Sequence, residues 1–294
     1  MLHTVADVTL LGTVVALLLS WITQRNAVRR FAHSAVGSCS PNARDGVLAV
    51  CSAVLNGIRK EKDDHSFVRF PGRRALGATP GGILREGGCC SGKSRLTIVA
   101  YRCLGLEAAQ VTLYHRSGRA QHCAVEVVCS EGPVIVDPLY GLYYVDAAGS
   151  PIGLDALRRG VVPMFRQVPG SKRVAYPDEP YYDFDYLRTG TANWTATRLR
   201  RRMHAVLSVV TRARVDAVRQ PVALEWPQLI LSACLGVLFA LAHAVGLCFA
   251  TGIERSALTA LIVLPLPLLL VGGTAVPALV RRGTVALAPE PRIS

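Results

Sequence analysis

The chain has 294 residues, of which 51% are hydrophobic and 18% are charged, and its formal net charge is +13. This is enough apolar material for one folded domain and more than a wholly soluble domain usually contains. The nine cysteines show no CxxC pair, which argues against a zinc ribbon or a disulfide framework and favours mostly free thiols in a reducing compartment.

The first predicted element is a transmembrane anchor over residues 5–24. Its centre, VTLLGTVVALLLSWI, is just long enough to cross a bilayer of roughly 30 Å. No Lys or Arg precedes it, whereas Arg25, Arg29 and Arg30 follow it, which is the reverse of a secretory signal peptide. We therefore expect an uncleaved anchor, followed by a folded domain over residues 25–195.

Two helices are predicted in the first half of this domain. The apolar recurrence of residues 45–60 predicts an amphipathic helix, and the polar, Gly- and Pro-rich residues 61–80 predict a loop. A cysteine pair then precedes a helical pattern over residues 91–104, which Gly105 ends. A cysteine at the start of a helix lies in the partial positive charge of the amino terminus, which stabilises a nucleophilic thiolate.

After Gly105 the apolar period changes from helical spacing to two. The segments AAQVTLYHR, HCAVEVVCS and PVIVD predict three successive strands. His122 begins the second strand and Asp137 ends the third, so an antiparallel hairpin would bring the two side chains near each other. A helix-borne cysteine that faces a strand-borne histidine and a carboxylate is the arrangement that covalent acyl transfer requires.

Four short motifs in this region resemble those of the transglutaminase-like superfamily. They match, in chain order, a G-x-C turn that enters the core helix, an LG[IL] helix stop, an H-x-x-V-E-V strand and a V-D-P. The matching residues are Gly88-Cys89-Cys90, Leu104-Gly105-Leu106, His122 with Val125-Glu126-Val127, and Val136-Asp137-Pro138. Cys123 and Ala124 replace an aromatic residue that usually follows the histidine, and Cys89 replaces a common aromatic before the nucleophile.

The resemblance implies an α+β fold with a transglutaminase-like, papain-like core and a catalytic triad of Cys90, His122 and Asp137. Cys90 is preferred to Cys89 because it lies fifteen residues before Gly105, as the nucleophile does in the family. Cys90 would attack an amide or ester carbonyl, His122 would take and return the proton, and Asp137 would orient the imidazolium. No metal or organic cofactor is implied. Hydrolysis and transamidation share the acyl-enzyme, so both stay open.

Two other functions compete with this interpretation. Residues 87–94, GGCCSGKS, satisfy the Walker A pattern of nucleotide-binding proteins, but the preceding ATPGGILRE is not the buried strand that a P-loop follows. The other competitor is a non-catalytic membrane scaffold, or an accessory subunit, that keeps the fold without its chemistry.

The last third of the chain predicts a return to the membrane. Residues 174–195 are aromatic and acidic, and would cover the site, dock the domain to the membrane or serve as a linker. Residues 196–220 predict an amphipathic helix that lies on the membrane surface or packs on the domain. Residues 228–280 predict a hairpin of two transmembrane helices, followed by a tail over 281–294.

With three spans, the arginines that flank the predicted transmembrane segments lie on one side of the bilayer. The positive-inside rule then places the domain on the cytoplasmic side of a bacterial inner membrane. Much of the excess of positive charge would then lie next to anionic lipid headgroups, so it does not indicate a nucleic-acid-binding protein. The expected partners are the bilayer and a protein or peptide, so the sequence predicts a membrane-anchored cysteine peptidase or acyltransferase.

Overall fold

A computed structural model describes most of the chain. The chain forms two compact units, within each of which most residue contacts are made. The described residues are 2–60, 78–118, 120–172, 183–190, 202, 205, 209 and 225–251. Within them, the side chains of 2–8, 227, 242 and 244–251 are not described. One unit is Trp21–Pro227, and the other consists of Met1–Ser20 with Gln228–Ser294. The predicted tail and nearly all of the predicted helix over 196–220 lie outside the described residues.

The described part of the chain contains helices and one antiparallel sheet, so the architecture is α+β. The helices are α1 (Leu2–Val36), α2 (Arg44–Gly57), α3 (Pro80–Glu86), α4 (Cys90–Cys103), α5 (Leu154–Arg158) and α6 (Pro227–Thr251). The strands are β1 (Glu107–His115), β2 (Ala120–Cys129), β3 (Gly132–Asp137), β4 (Leu142–Val145), β5 (Met164–Gln167) and β6 (Phe184–Gly190). Their order in the sheet is β5-β4-β3-β2-β1-β6, and every neighbouring pair is antiparallel.

Helix α4 is the central element of the unit Trp21–Pro227. It packs on β1 and β2 on one side and against α2 and α3 on the other. Ten consecutive residues of α4, from Gly92 to Tyr101, are buried, as expected for a helix enclosed on all sides. The Tyr101 hydroxyl donates a 2.8 Å hydrogen bond to the carbonyl oxygen of Val47 and so joins α4 to α2. The predicted helices and the first three strands correspond to α2, α4 and β1–β3.

The prediction of three transmembrane helices is wrong. Among the residues that the structure describes, no helix combines the length and the apolar character needed to cross a membrane. The described apolar run of α1 is interrupted by hydroxyl residues and ends at Gln24, and the helix then continues to bury Val28 and Ala32 in the core of the larger unit. The described part of α6 contains buried Gln228 and Ser232. The third predicted span, 258–280, lies outside the described residues.

Candidate active site

The register of β2 and β3 explains how His122 and Asp137 meet. Val125 pairs with Val136, so Asp137 continues the register to the position opposite Ala124. His122 lies two residues from Ala124 on β2, and side chains two residues apart point to the same face of a strand. The pair is therefore diagonal across one face, at a separation that long side chains bridge. His122 Nε2 and Asp137 Oδ2 are 2.6 Å apart, and both side chains are buried.

The backbone that follows Asp137 holds its carboxylate in place. Oδ1 accepts hydrogen bonds from the amides of Leu139, at 2.9 Å, and Tyr140, at 3.2 Å, which leaves Oδ2 to face the imidazole. The amide of Gly141 also donates to the Asp137 carbonyl, at 2.8 Å, and Gly141 has a φ of +64°. This tight turn fixes the orientation of the carboxylate, as a residue that orients a base requires.

Cys90 is the first residue of α4. The thiol is half-buried and packs against the apolar cluster that includes Val111 and Leu113. The Cys90 thiol interacts with the His122 imidazole and raises its pKa, and Nε2 of the same ring faces Asp137. The three predicted residues are thus brought together in the order sulfur, imidazole, carboxylate.

The environment of His122 favours its protonated form. Burial alone lowers the pKa of the imidazole, but the charge and hydrogen bond of Asp137, followed by those of Cys90, raise it to about 10. The arrangement therefore favours a His122 imidazolium at neutral pH, next to the Cys90 thiol. The backbone amide of Cys90, at the start of α4, is a donor for a developing oxyanion.

Cys89, the other member of the cysteine pair, faces a different environment. It is the residue that precedes the first turn of α4, and its sulfur lies 3.5 Å from the hydroxyl oxygen of Ser91. Its carbonyl oxygen accepts a 2.9 Å hydrogen bond from the amide of Lys93, the first intrahelical bond of α4. Cys89 is therefore placed as the cap of the helix, while Cys90 interacts with the imidazole.

Two aromatic rings that the sequence analysis did not assign to the site flank His122. The Tyr140 ring lies 5.6 Å from the imidazole at a tilted angle, and the Phe184 ring stacks against it at 6.1 Å. Phe184 starts β6 and belongs to the aromatic segment 174–195, so this part of the segment does cover the site. Because Tyr140 follows Asp137 by only three residues, the sequence could have indicated that its ring lies near the site. The sequence gives no such indication for Phe184, because its place depends on the pairing of β6 with β1, which is distant in the chain.

The glutamate of the H-x-x-V-E-V motif has a structural role. Glu126 is buried, and its Oε1 accepts a 2.7 Å hydrogen bond from the amide of Leu154, the first residue of α5. The residue before this helix is Gly153, which has no side chain to cap it, so a carboxylate from β2 serves instead. Glu126 thus fixes α5 against the sheet and does not take part in the triad.

The structure contradicts the nucleotide-binding alternative. A P-loop follows a buried strand of a parallel sheet, whereas residues 87–94 follow helix α3, and the sheet is antiparallel. The lysine of the pattern, Lys93, lies within helix α4 and its Nζ is 3.5 Å from the carbonyl oxygen of Leu55. The Walker A pattern here is the turn that starts α4.

Comparisons with known proteins add little to this geometry. No protein-family model matches the chain, and no curated protein matches it. A solved structure that does match is that of a proposed cysteine protease from Cytophaga hutchinsonii, with 19% sequence identity and a TM-score of 0.32. The match covers 49% of this chain and 47% of that chain. At this level the similarity bears on neither activity nor substrate.

Proposed function

We propose that this protein is a thiol-dependent hydrolase or acyltransferase that acts on an amide through an acyl-enzyme on Cys90. The observation that supports this most directly is the position of His122, which is hydrogen-bonded to the Asp137 carboxylate at 2.6 Å and whose pKa is raised by both Asp137 and Cys90. A buried carboxylate, an imidazole and a thiol at a helix amino terminus, in this order, form the nucleophile, base and orienting group of covalent acyl transfer.

The reaction would proceed in two balanced steps. The Cys90 thiolate attacks the carbonyl carbon, the sulfur–carbon bond forms, and the carbon–nitrogen bond breaks as the His122 imidazolium gives its proton to the leaving amine. Water or a second amine then attacks the acyl-enzyme and passes a proton to His122, and the sulfur–carbon bond breaks to restore the thiolate. Asp137 keeps the imidazole oriented in both steps, and the Cys90 amide donates to the oxyanion of each tetrahedral intermediate.

The test is acylation by p-nitrophenyl acetate, an activated ester that needs no knowledge of the natural substrate. The wild type should release a burst of p-nitrophenol equal to the enzyme concentration, and mass spectrometry should find the acetyl group on the peptide that contains Cys90. Cys89→Ala is the matched control, because it removes the neighbouring thiol and should keep the burst. Cys90→Ala should abolish it.

Two results would contradict the proposal. A burst that survives Cys90→Ala but not Cys89→Ala would mean that the nucleophile is the wrong member of the pair. The absence of acylation in a folded wild-type protein would favour a non-catalytic protein that keeps the fold. Circular dichroism of each variant establishes that it is folded.

A further inference from the structure

A cavity of about 360 Å³ is lined by Lys93, in the first turn of α4, and by Leu139, two residues after Asp137. It is enclosed by the end of α2 and the segment after it, by the first turn of α4, and by the loops that carry Leu139 and Lys172. Leu139 is the residue whose amide donates to Asp137. Lys60 forms a parallel bridge with Gly88, two residues before Cys90. The cavity is therefore continuous with the elements that hold the triad.

The lining of this cavity is strongly basic. It includes three lysines, Lys60, Lys93 and Lys172, together with Arg59. Lys60 and Lys172 are exposed, whereas Lys93 is buried, so the charge extends from the opening of the cavity to its interior. Among the described residues no carboxylate lies within ion-pair distance of these lysines.

Lys93 is the member of this group that most needs an explanation. Its ammonium group has three donors, and it donates a long hydrogen bond, 3.5 Å, to the carbonyl oxygen of Leu55. Burial, then the charge of Lys60 and to a smaller extent that of Lys172, lower the pKa of Lys93, while Asp137 and Cys51 raise it, and the net pKa is about 8. The carboxylate of Asp137 is already bound to His122 and to two backbone amides. Burying an ammonium group beside two like charges is costly unless a negative charge accompanies it.

The two exposed lysines are held in place by neighbouring groups. The Lys60 ammonium lies 5.5 Å from the centre of the Tyr140 ring, within the range of a cation–π contact. The Lys172 ammonium donates a 3.5 Å hydrogen bond to the carbonyl oxygen of Asn56, and the backbone amide of Lys172 donates a 2.8 Å hydrogen bond to the Asn56 side chain. Each ammonium group is therefore in contact with a neighbouring group of the cavity.

We infer that this basic cavity, lined by Lys60, Lys93 and Lys172, is a binding site for an oxyanion, a carboxylate or a phosphate. Lysine ammonium groups are compact point charges without the planar geometry of a guanidinium, so they do not discriminate between the two kinds of oxyanion.

The position of the cavity links it to the substrate, an extension that rests on the proposed function. Lys93 follows Cys90 by three residues, so the two side chains lie on the same face of α4, about one turn apart. A substrate whose carbonyl carbon reaches Cys90 would place a group several ångströms away at the cavity. The substrate is therefore an amide or ester that carries a negative charge close to the bond that is broken.

Binding is tested without catalysis, in the full-length Cys90→Ala protein, by calorimetric titration with inorganic phosphate and with glutarate. Measurable binding of either anion is expected, and Lys60→Gln and Lys172→Gln should each weaken it about tenfold, the size expected for a charged hydrogen bond. Arg30→Gln is the matched control, because it removes one exposed positive charge outside the cavity and should change the affinity less than about twofold. No binding of either anion, or equal weakening by all three variants, would overturn the inference.

A kinetic comparison separates this inference from the proposed function. The wild-type kcat/KM for mono-p-nitrophenyl glutarate should exceed that for p-nitrophenyl acetate, and Lys60→Gln should lower the ratio of the two values about tenfold. Turnover of both esters with a ratio that Lys60→Gln leaves unchanged would refute the anion site and keep the thiol chemistry. Anion binding in a protein that turns over neither ester would keep the site and refute the proposed function.

Discussion

The carboxylate of Asp137 divides its two oxygens between the backbone and the imidazole. Oδ1 receives the amides of Leu139 and Tyr140, and Oδ2 faces His122. A substitution that changes Oδ2 alone should therefore alter the imidazole and leave the turn intact. In Asp137 the structural role, held by Oδ1, can therefore be changed separately from the chemical role, held by Oδ2.

Asp137→Asn changes the group that faces His122 and keeps the oxygen that faces the backbone. The asparagine oxygen can still accept from the two amides, but its NH2 group presents a donor to Nε2 and so favours the wrong tautomer of His122. We expect the protein to fold and the rate of acylation by p-nitrophenyl acetate to fall by about 10³-fold or more. Stopped-flow measurement of the burst gives the rate. An unchanged rate would mean that Asp137 does not orient the base.

The raised pKa of His122 predicts how stability depends on pH. The imidazolium is favoured in the folded protein, where its pKa is about 10, over the unfolded chain, where it is about 6.5. The stability it contributes is therefore fully present below about pH 6.5 and is lost as the pH rises through about 10. The lowered pKa of Lys93 also makes stability depend on pH. Lys93 is present in both the wild type and His122→Gln, so its contribution cancels when their free energies of unfolding are subtracted.

The measurement is the free energy of unfolding in urea for the wild type and for His122→Gln, at intervals from pH 6 to pH 10. The wild type should be the more stable protein at pH 6.5, and its advantage should shrink steadily toward pH 10. A difference that is flat over this range, or that grows with pH, would show that the histidine is neutral in the folded protein.

At the scale of elements, the amino terminus of α5 is capped by the side chain of Glu126, a residue of β2. Glu126→Ala would leave the buried amide of Leu154 without its acceptor, which costs about 1–3 kcal/mol. Glu126→Gln keeps an acceptor at the same position and should cost less. Both values come from chemical unfolding. Equal losses in the two variants would mean that the charge of Glu126, and not the hydrogen bond to α5, stabilises the fold.

The close approach of the segment after α2 to the start of α4 depends on Gly87. Its φ is +108°, and a Cβ at this position would lie 2.6 Å from the carbonyl oxygen of Arg59. Gly105 is a suitable control, because its φ is +83° but a Cβ there would meet nothing within 4 Å. Alanine at Gly105 should cost about 1 kcal/mol of stability from backbone strain alone.

Gly87→Ala adds a collision with backbone to this strain, so we expect a loss of about 2 kcal/mol or more. Because Gly87 directly precedes the turn that carries Cys90, acylation should also slow in this variant and remain normal in Gly105→Ala. The unfolding free energy and the ester burst measure the two effects. Equal behaviour of the two glycine variants would argue that the approach to Arg59 is not needed.

The elements that could be predicted from the sequence are those determined by local pattern. The helical pattern that ends at Gly105 predicted α4. The apolar alternation after Gly105 predicted the hairpin of β2 and β3, and this hairpin placed His122 near Asp137. Helix α3 was not predicted, although Thr79 caps it and Pro80 begins it, because its two glycines read as loop. Strand β6 was not predicted either, since it is held by pairing with β1, far away in the chain.

At the scale of the molecule, local hydrophobicity misled the prediction of spanning helices. The apolar run near the amino terminus belongs to a helix of 35 residues whose later turns bury Val28, Ala32 and Val36. A window that scores the apolar content of this run alone does not register the amphipathic turns that follow it. The predicted location in the cell stays a prediction.

The extent of the compact unit leads to a prediction about truncation. The unit Trp21–Pro227 contains the whole candidate site, and Glu225, near its end, forms a 2.8 Å ion pair with Arg95 of α4. Arg95 and Glu225 are both buried, so a protein cut after residue 195 would leave the guanidinium without this partner, at a cost of about 3–5 kcal/mol.

We therefore expect a protein of residues 21–227 to fold and to be acylated at Cys90, and one of residues 21–195 to be less stable by about that amount. Glu225→Gln in the longer protein isolates the charge from the loss of chain, and should reproduce most of the destabilisation if the ion pair is its cause. Urea unfolding compares the three proteins. A fully stable 21–195 protein would show that Arg95 can be satisfied by other groups, such as the Ala78 carbonyl, to which it also donates.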